Sequence, residues 1–137
     1  MEGMLTIELA RRLRTAGLTW TPRAGDRFVL PVSGMEEEVF VISDLTVDVH
    51  HFATGDVIGF NGTTEWALDS VEQDKVVWLP REDQLRDLLG DTFVKLEQLD
   101  GGYAVSVSRP DGTVERHADI EAERAYARAV LAGLEEG

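Results

Sequence analysis

The sequence predicts an α+β fold: a single domain with an antiparallel sheet and helices at the N-terminus, in the middle and at the C-terminus. Three observations carry this. Apolar residues recur at helical spacing near both ends of the chain. Short alternating runs broken by turn residues fill the stretches between. Strands and helices do not follow each other in the regular order that builds a parallel sheet. At 137 residues the chain has the commonest size of one domain, so 1–137 reads as one core.

The first helix is marked by Leu5, Leu9, Leu13 and Ala16 on one face, with Ile7 and Ala10 beside them. Thr6 suits its N-cap, Gly17 its stop, and Arg11, Arg12 and Arg14 the negative end of its dipole. A turn-rich stretch, 19–26, then leads to strands over 28–32 and 38–42, joined by 33–37. Over 45–52, Leu45, Val47 and Val49 alternate with Thr46, Asp48 and His50, the pattern of a strand with one wet face. Residues 54–61 hold Gly55 and Gly59 around the pair Val57-Ile58 and run into the turn signal Asn61-Gly62. Thr63 or Thr64 suits the cap of a short helix over 65–70, and 76–79 reads as a brief strand or buried connection.

The last third follows the plainest rules. Pro80 suits the first position of the middle helix, with Glu82 and Asp83 in its first turn and Gly90 past its end. Its apolar side is Leu85, Leu88 and Leu89. Residues 92–99, 103–108 and 113–117 form a three-stranded meander, turned by Asp100-Gly101-Gly102 and Pro110-Asp111-Gly112. Asp119 is placed to cap the final helix, whose buried stripe is Ala122, Ala125, Tyr126, Ala129, Val130 and Leu134. The C-terminal part thus reads as helix, three-strand meander, helix.

Composition excludes several classes of function. The chain has no cysteine, which removes disulfides, thiolate catalysis and cysteine-ligated zinc. A net charge of −13 repels phosphate backbones and anionic lipid, so neither nucleic acid nor membrane is an expected partner. No apolar run is long enough to span a bilayer, and Glu2 and Glu8 fall where a signal peptide carries basic and apolar residues. A cytoplasmic location is the expectation. The charge is uneven: residues 1–32 hold five arginines against three carboxylates, a balance of +2, so the rest carries −15. Such an acidic body suits a basic partner or, more plainly, a solvated surface.

Candidate chemistry is sparse. His50 and His51 are adjacent and so fall on opposite faces of a strand, while His50 shares a face with Asp48. Zinc and iron sites need three or four ligands, and nothing in the spacing brings His117 to that pair. No metal site and no cofactor are expected. No serine sits in a nucleophile elbow, and the glycines of 55–62 match no phosphate-binding pattern. Lys75 and Lys95 are the only lysines, and neither stands in a phosphate loop. No catalytic residue is assigned. Trp20, Trp66 and Trp78, with Phe60, stand beside turns or helix starts, where an indole either seals the rim of a core or anchors a partner.

Two stretches, Phe60-Asn61-Gly62-Thr63-Thr64-Glu65-Trp66-Ala67-Leu68-Asp69-Ser70 and Trp78-Leu79-Pro80-Arg81-Glu82-Asp83-Gln84-Leu85-Arg86, carry a likeness. Through them the chain resembles a family of short, uncharacterised bacterial proteins. The similarity extends to Ala16-Gly17-Leu18-Thr19-Trp20-Thr21-Pro22 and Gly25-Asp26-Arg27-Phe28. Some members carry a pilus-assembly label. That label belongs to ATPases with a phosphate-binding loop, which this chain lacks, so it is not carried over. The C-terminal helix–meander–helix is also similar in outline to small phage-type sandwich domains. The resemblance implies a binding module and supplies no catalytic residue.

The expected function is therefore an acidic interaction or regulatory module. It would bind another protein or a second copy of itself through Trp20, Phe60, Trp66 and Trp78. The alternative is a small-ligand-binding or hydrolytic domain with a cleft near Trp66 and Asp69, its polar groups being Asp48, His50 and Asp69.

Overall fold

A computed structural model describes residues 5–30, 39–42, 47–52, 55–60, 70–72 and 76–136. In chain order they form α1 (Ile7–Thr15), β1 (Arg27–Val29), β2 (Val39–Val41), β3 (Val47–Phe52), β4 (Gly55–Phe60), β5 (Ser70–Glu72) and β6 (Val77–Leu79). There follow α2 (Glu82–Leu89), a single 3-10 turn (Gly90–Thr92), β7 (Phe93–Leu99), β8 (Gly102–Ser108), β9 (Val114–Asp119) and α3 (Ala122–Glu136). Every strand pair is antiparallel, so the fold is α+β with N-terminal, middle and C-terminal helices. The chain gathers into two compact units, Thr19–Leu79 and Met1–Leu18 with Pro80–Gly137. Among the described residues no helix is long and apolar enough to cross a membrane.

The unit of Thr19–Leu79 holds two three-stranded sheets, ordered β2-β1-β6 and β3-β4-β5. Of the strands expected over 28–32, 38–42 and 45–52, β1 covers 28–29, β2 covers 39–41 and β3 covers 47–52, while 31–32, 38 and 45–46 lie outside the described residues. Residues 54–61 contain β4, a full strand between β3 and β5, because Val57 and Ile58 stand opposite His50 and Val49 while Gly59 stands opposite Asp48. Its glycines disguised it, since glycine is depleted in strands. Ser70, expected to end a short helix, instead opens β5. The connection over 33–37, the cap at Thr63 or Thr64 and the rest of that helix lie outside the described residues.

In the other unit Thr6 caps α1, its hydroxyl accepting the Leu9 N–H at 3.2 Å. Leu5, Leu9, Ala10 and Leu13 are buried, and the chain leaves the helix at Gly17, φ 114°. That angle suits glycine because a side chain there would crowd the backbone. Pro80 does not open α2 as expected but stands two places before its first residue, Glu82. Arg81 is the N-cap, its N–H donating to the Gln84 side chain at 2.9 Å. Leu85 and Leu89 are buried, but Leu88 is 46 % exposed and does not belong to the apolar side. A stripe three residues wide on two turns exceeds what α2 buries against α3.

The meander β7-β8-β9 and α3 make the core of this unit. Helix α3 lies on β8 and β9 and packs against both α1 and α2. Its Ala125, Tyr126, Ala129 and Val130 are buried as expected, and so are Ala127 and Leu131, whereas Ala122 and Leu134 are half-buried. Cover from several sides widens the buried face beyond a stripe. The Leu5 N–H donates to the Glu123 carboxylate, tying the start of α1 to that of α3.

Asp119 corrects another expectation. It is the last residue of β9 and not a helix cap; the helix opens at Glu121, whose carbonyl accepts the Ala125 N–H. The Asp119 carboxylate accepts the Glu121 N–H at 3.2 Å, Arg124 Nε at 2.9 Å and Arg128 Nε at 2.8 Å. Burial pushes its pKa up, but bonds from Arg128, Arg124 and Glu121 outweigh that and hold it below the ordinary carboxylate value. A carboxyl depressed on folding stabilises the fold above its unfolded pKa, near ~4, and ceases to do so as pH falls through the lower folded value. Asp119→Asn is expected to cost about 1–3 kcal/mol at about pH 7 and to flatten the acid side of the stability curve. Urea midpoints between about pH 7 and about pH 3 check both effects.

Candidate functional site

The arrangement begins with the central strand of the β2-β1-β6 sheet. Phe28 in β1 stands in register with Phe40 of β2 on one side and Trp78 of β6 on the other. Residues directly opposite in a ladder share a face, and those two apart along a strand share it too. Leu30, Ile42 and Val76 therefore extend this apolar row, and together with Phe28 they are buried. Trp20 comes from the segment before β1 and lies over it. Its ring is 5.9 Å from that of Phe28 and tilted by 37°. It is 6.2 Å from that of Trp78 and only 10° from parallel. Phe28 and Phe40 stack at 5.5 Å.

Asp26 sets the position of Trp20. Its carboxylate is buried and accepts the Trp20 indole N–H at 2.9 Å and the Arg23 N–H at 3.0 Å, which closes the loop from 20 to 26. The same loop is sewn to the sheet, for Gly25 N–H donates to the Ile42 carbonyl at 2.6 Å and Ile42 N–H to the Asp26 carbonyl at 2.9 Å. The indole is thus held from both ends, by a buried charge-assisted hydrogen bond and by ring stacking.

Trp20 and Trp78 are each half-buried. The structure brings these two sequence-selected residues into one stacked, half-buried pair over the core. Phe60 stands in β4 opposite Val47, and Asp48 and His50 stand in β3 opposite Gly59 and Val57. Trp66 and Asp69 lie outside the described residues, and with them the cleft expected there. The Trp78 Nε1 is buried and meets no acceptor among the described residues.

Sequence reasoning missed a charged cluster in the unit of Met1–Leu18 and Pro80–Gly137. The nearly buried Arg109 donates to Glu115 at 2.5 Å and lies 3.2 Å from Glu136 near the end of α3. His117 Nε2 is 3.4 Å from the same Glu115 oxygen. The hydrogen bond from Arg109 holds Glu115 below the ordinary carboxylate range, and the reciprocal bond raises Arg109. The signal was available: opposite charges six apart flank the Pro110-Asp111-Gly112 turn. Its work is structural, fastening the β8–β9 hairpin to α3. Two shallow grooves also mark this unit. One, about 650 Å3, runs along α1 past Ile7, Arg11 and Thr15 to Glu135. The other, about 400 Å3, lies at the start of α2 and α3 beside Glu82, Tyr103 and Glu121. Neither is lined by a tryptophan. Among the described residues no three His, Asp or Glu side chains are grouped to hold one ion.

The two indoles are bonded differently, and their replacement is expected to differ accordingly. Trp20→Phe takes one of its hydrogen bonds from the buried Asp26 carboxylate, whereas Trp78→Phe removes a donor that meets no acceptor among the described residues. Urea unfolding is expected to show Trp20→Phe costing at least about 1 kcal/mol more than Trp78→Phe. Equal losses would show that the bond to Asp26 contributes nothing. Compared with protein-family models, with curated proteins and with solved structures, the chain matches none.

Proposed function

We propose that this protein is a non-catalytic interaction module, an aromatic anchor on an acidic body, that binds a basic protein partner. The observation that carries this is the stacked pair Trp20 and Trp78, half-open at the face of a sheet whose core residues are otherwise closed. A rigid, partly exposed indole pair is the type of surface on which binding energy concentrates, because large flat rings lose water at little entropic cost. The net charge of −13 supplies steering: a partner of opposite sign is drawn in at a rate that falls as salt screens the field. The alternative of a small-ligand site at Trp66 and Asp69 gains no support from the described geometry.

The test is affinity capture from native lysate with the wild-type chain and with Trp78→Ala, at low and at high salt. Trp78 is the choice because Trp20 also holds Asp26. A basic protein is expected at low salt, lost at high salt, and reduced about tenfold by Trp78→Ala with an unchanged circular dichroism spectrum. Capture that ignores both the salt and the substitution would defeat the proposal, as would no capture at all.

A further inference from the structure

We propose that two copies of this chain pair edge to edge through β7, antiparallel and centred on Leu96, to form one six-stranded sheet. This surface is distinct from the tryptophan pair and stands whether or not that pair binds a partner. In the order β7-β8-β9, strand β7 is hydrogen-bonded among the described residues on one side only, to β8. It is seven residues long, and an edge of that length is a template for another strand unless something blocks it. Of the seven large apolar side chains exposed among the described residues, three stand on this strand: Val94 (48 %), Leu96 (38 %) and Leu99 (37 %). The opposite edge, β9, is shorter and carries Glu115, Arg116, His117 and Asp119.

The occupant is decided by the charges. β7 reads Phe-Val-Lys-Leu-Glu-Gln-Leu, and an antiparallel twofold at Leu96 sets Lys95 opposite the second copy's Glu97, twice over. Lysine on an edge normally repels its own image; here a register exists in which every Lys95 meets a carboxylate. Glu97 is already held on that face, 3.7 Å from Lys95 and 3.3 Å from Arg116, above the buried Ala104 and Ser106. From Lys95 to Leu99, past the β-bulge that lies between Phe93 and Lys95, the backbone agrees with this register. Leu99 and Gly102 close a two-residue turn, so Leu99, Glu97 and Lys95 turn their amides towards β8 and Leu96 and Gln98 turn theirs outward. A twofold on Leu96 makes Leu96 opposite Leu96 a hydrogen-bonded pair. It makes Lys95 opposite Glu97 a non-bonded pair, the kind in which side chains approach most closely.

The experiment is light scattering of the full chain at increasing concentration, with Lys95→Glu, Glu97→Lys and an equimolar mixture of the two. Wild type is expected to pass from monomer to dimer. Each variant alone sets like charges against each other twice and is expected to weaken the dimer about tenfold or more. The mixture restores both attractions and is expected to dimerise as wild type does. Circular dichroism shows that each variant is folded, and recovery in the mixture cannot come from unfolded chains. Wild type that stays monomeric overturns the proposal, and so does a variant that dimerises undiminished or a mixture that stays apart. None of these outcomes touches capture through Trp78, so failure here and failure of the interaction module are distinguishable.

Discussion

The burial of α3 is the constraint on which the larger unit depends. Tyr126 is 2 % exposed, its ring 5.8 Å from Phe93 at the start of β7, and Arg86 of α2 lies over the other ring at 4.5 Å. One contact chain thus joins the last helix, the first strand of the meander and the middle helix. Each fully buried side chain of this size contributes roughly 1.5–3 kcal/mol, and α3 also covers Val105 and Val107 of β8, both buried. The polar groups follow from that apolar packing. Asp119 fastens the first turns of α3 to the end of β9, and Arg109 fastens its last turn to the β8–β9 hairpin. With both ends fixed, a helix that is buried on several sides has one way to lie.

The smaller sheet obeys a different constraint. A three-residue strand cannot bury much, and β1, β2 and β6 are all of that length. What they lack in area they recover in ring size, by placing Phe40, Phe28 and Trp78 side by side and laying Trp20 across them. Aromatic pairs add about 0.5–1.5 kcal/mol beyond their buried area. The cost is a buried carboxylate, Asp26, which is tolerable because it accepts an indole and a backbone donor.

Much of this was legible in the sequence wherever local chemistry decides. Thr6 and Gly17 bound α1, and the Gly101 and Gly112 turns bound the meander, because caps and turns act within four residues. The apolar spacing of α3 was legible for the same reason. Elsewhere a distant partner outweighed local preference. Pro80 is a good first helical residue, yet Arg81 with Gln84 provides the cap. Asp119 has the chemistry of a helix cap, but Arg124 and Arg128 claim it for the end of a strand. β4 was hidden because its glycines weaken any strand signal until β3 and β5 supply the ladder. Of the candidate site, the choice of Trp20 and Trp78 needed only their places beside turns. That they stack on each other depends on Asp26 and the register of β1 with β6, which no spacing reveals.

Trp20 and Trp78 are also the second and the second-last residues of the inserted unit Thr19–Leu79. Their stacking therefore clasps the neck of an insertion. During synthesis α1 emerges first, but its apolar face has no cover until α3 is made, more than a hundred residues later. Closing a loop the length of the insertion costs on the order of 4 kcal/mol of chain entropy. A unit that folds in the interval and fastens its own ends together absorbs that cost before the flanking halves meet. The indole pair thus fixes where the two ends of that unit lie, at Trp20 and Trp78.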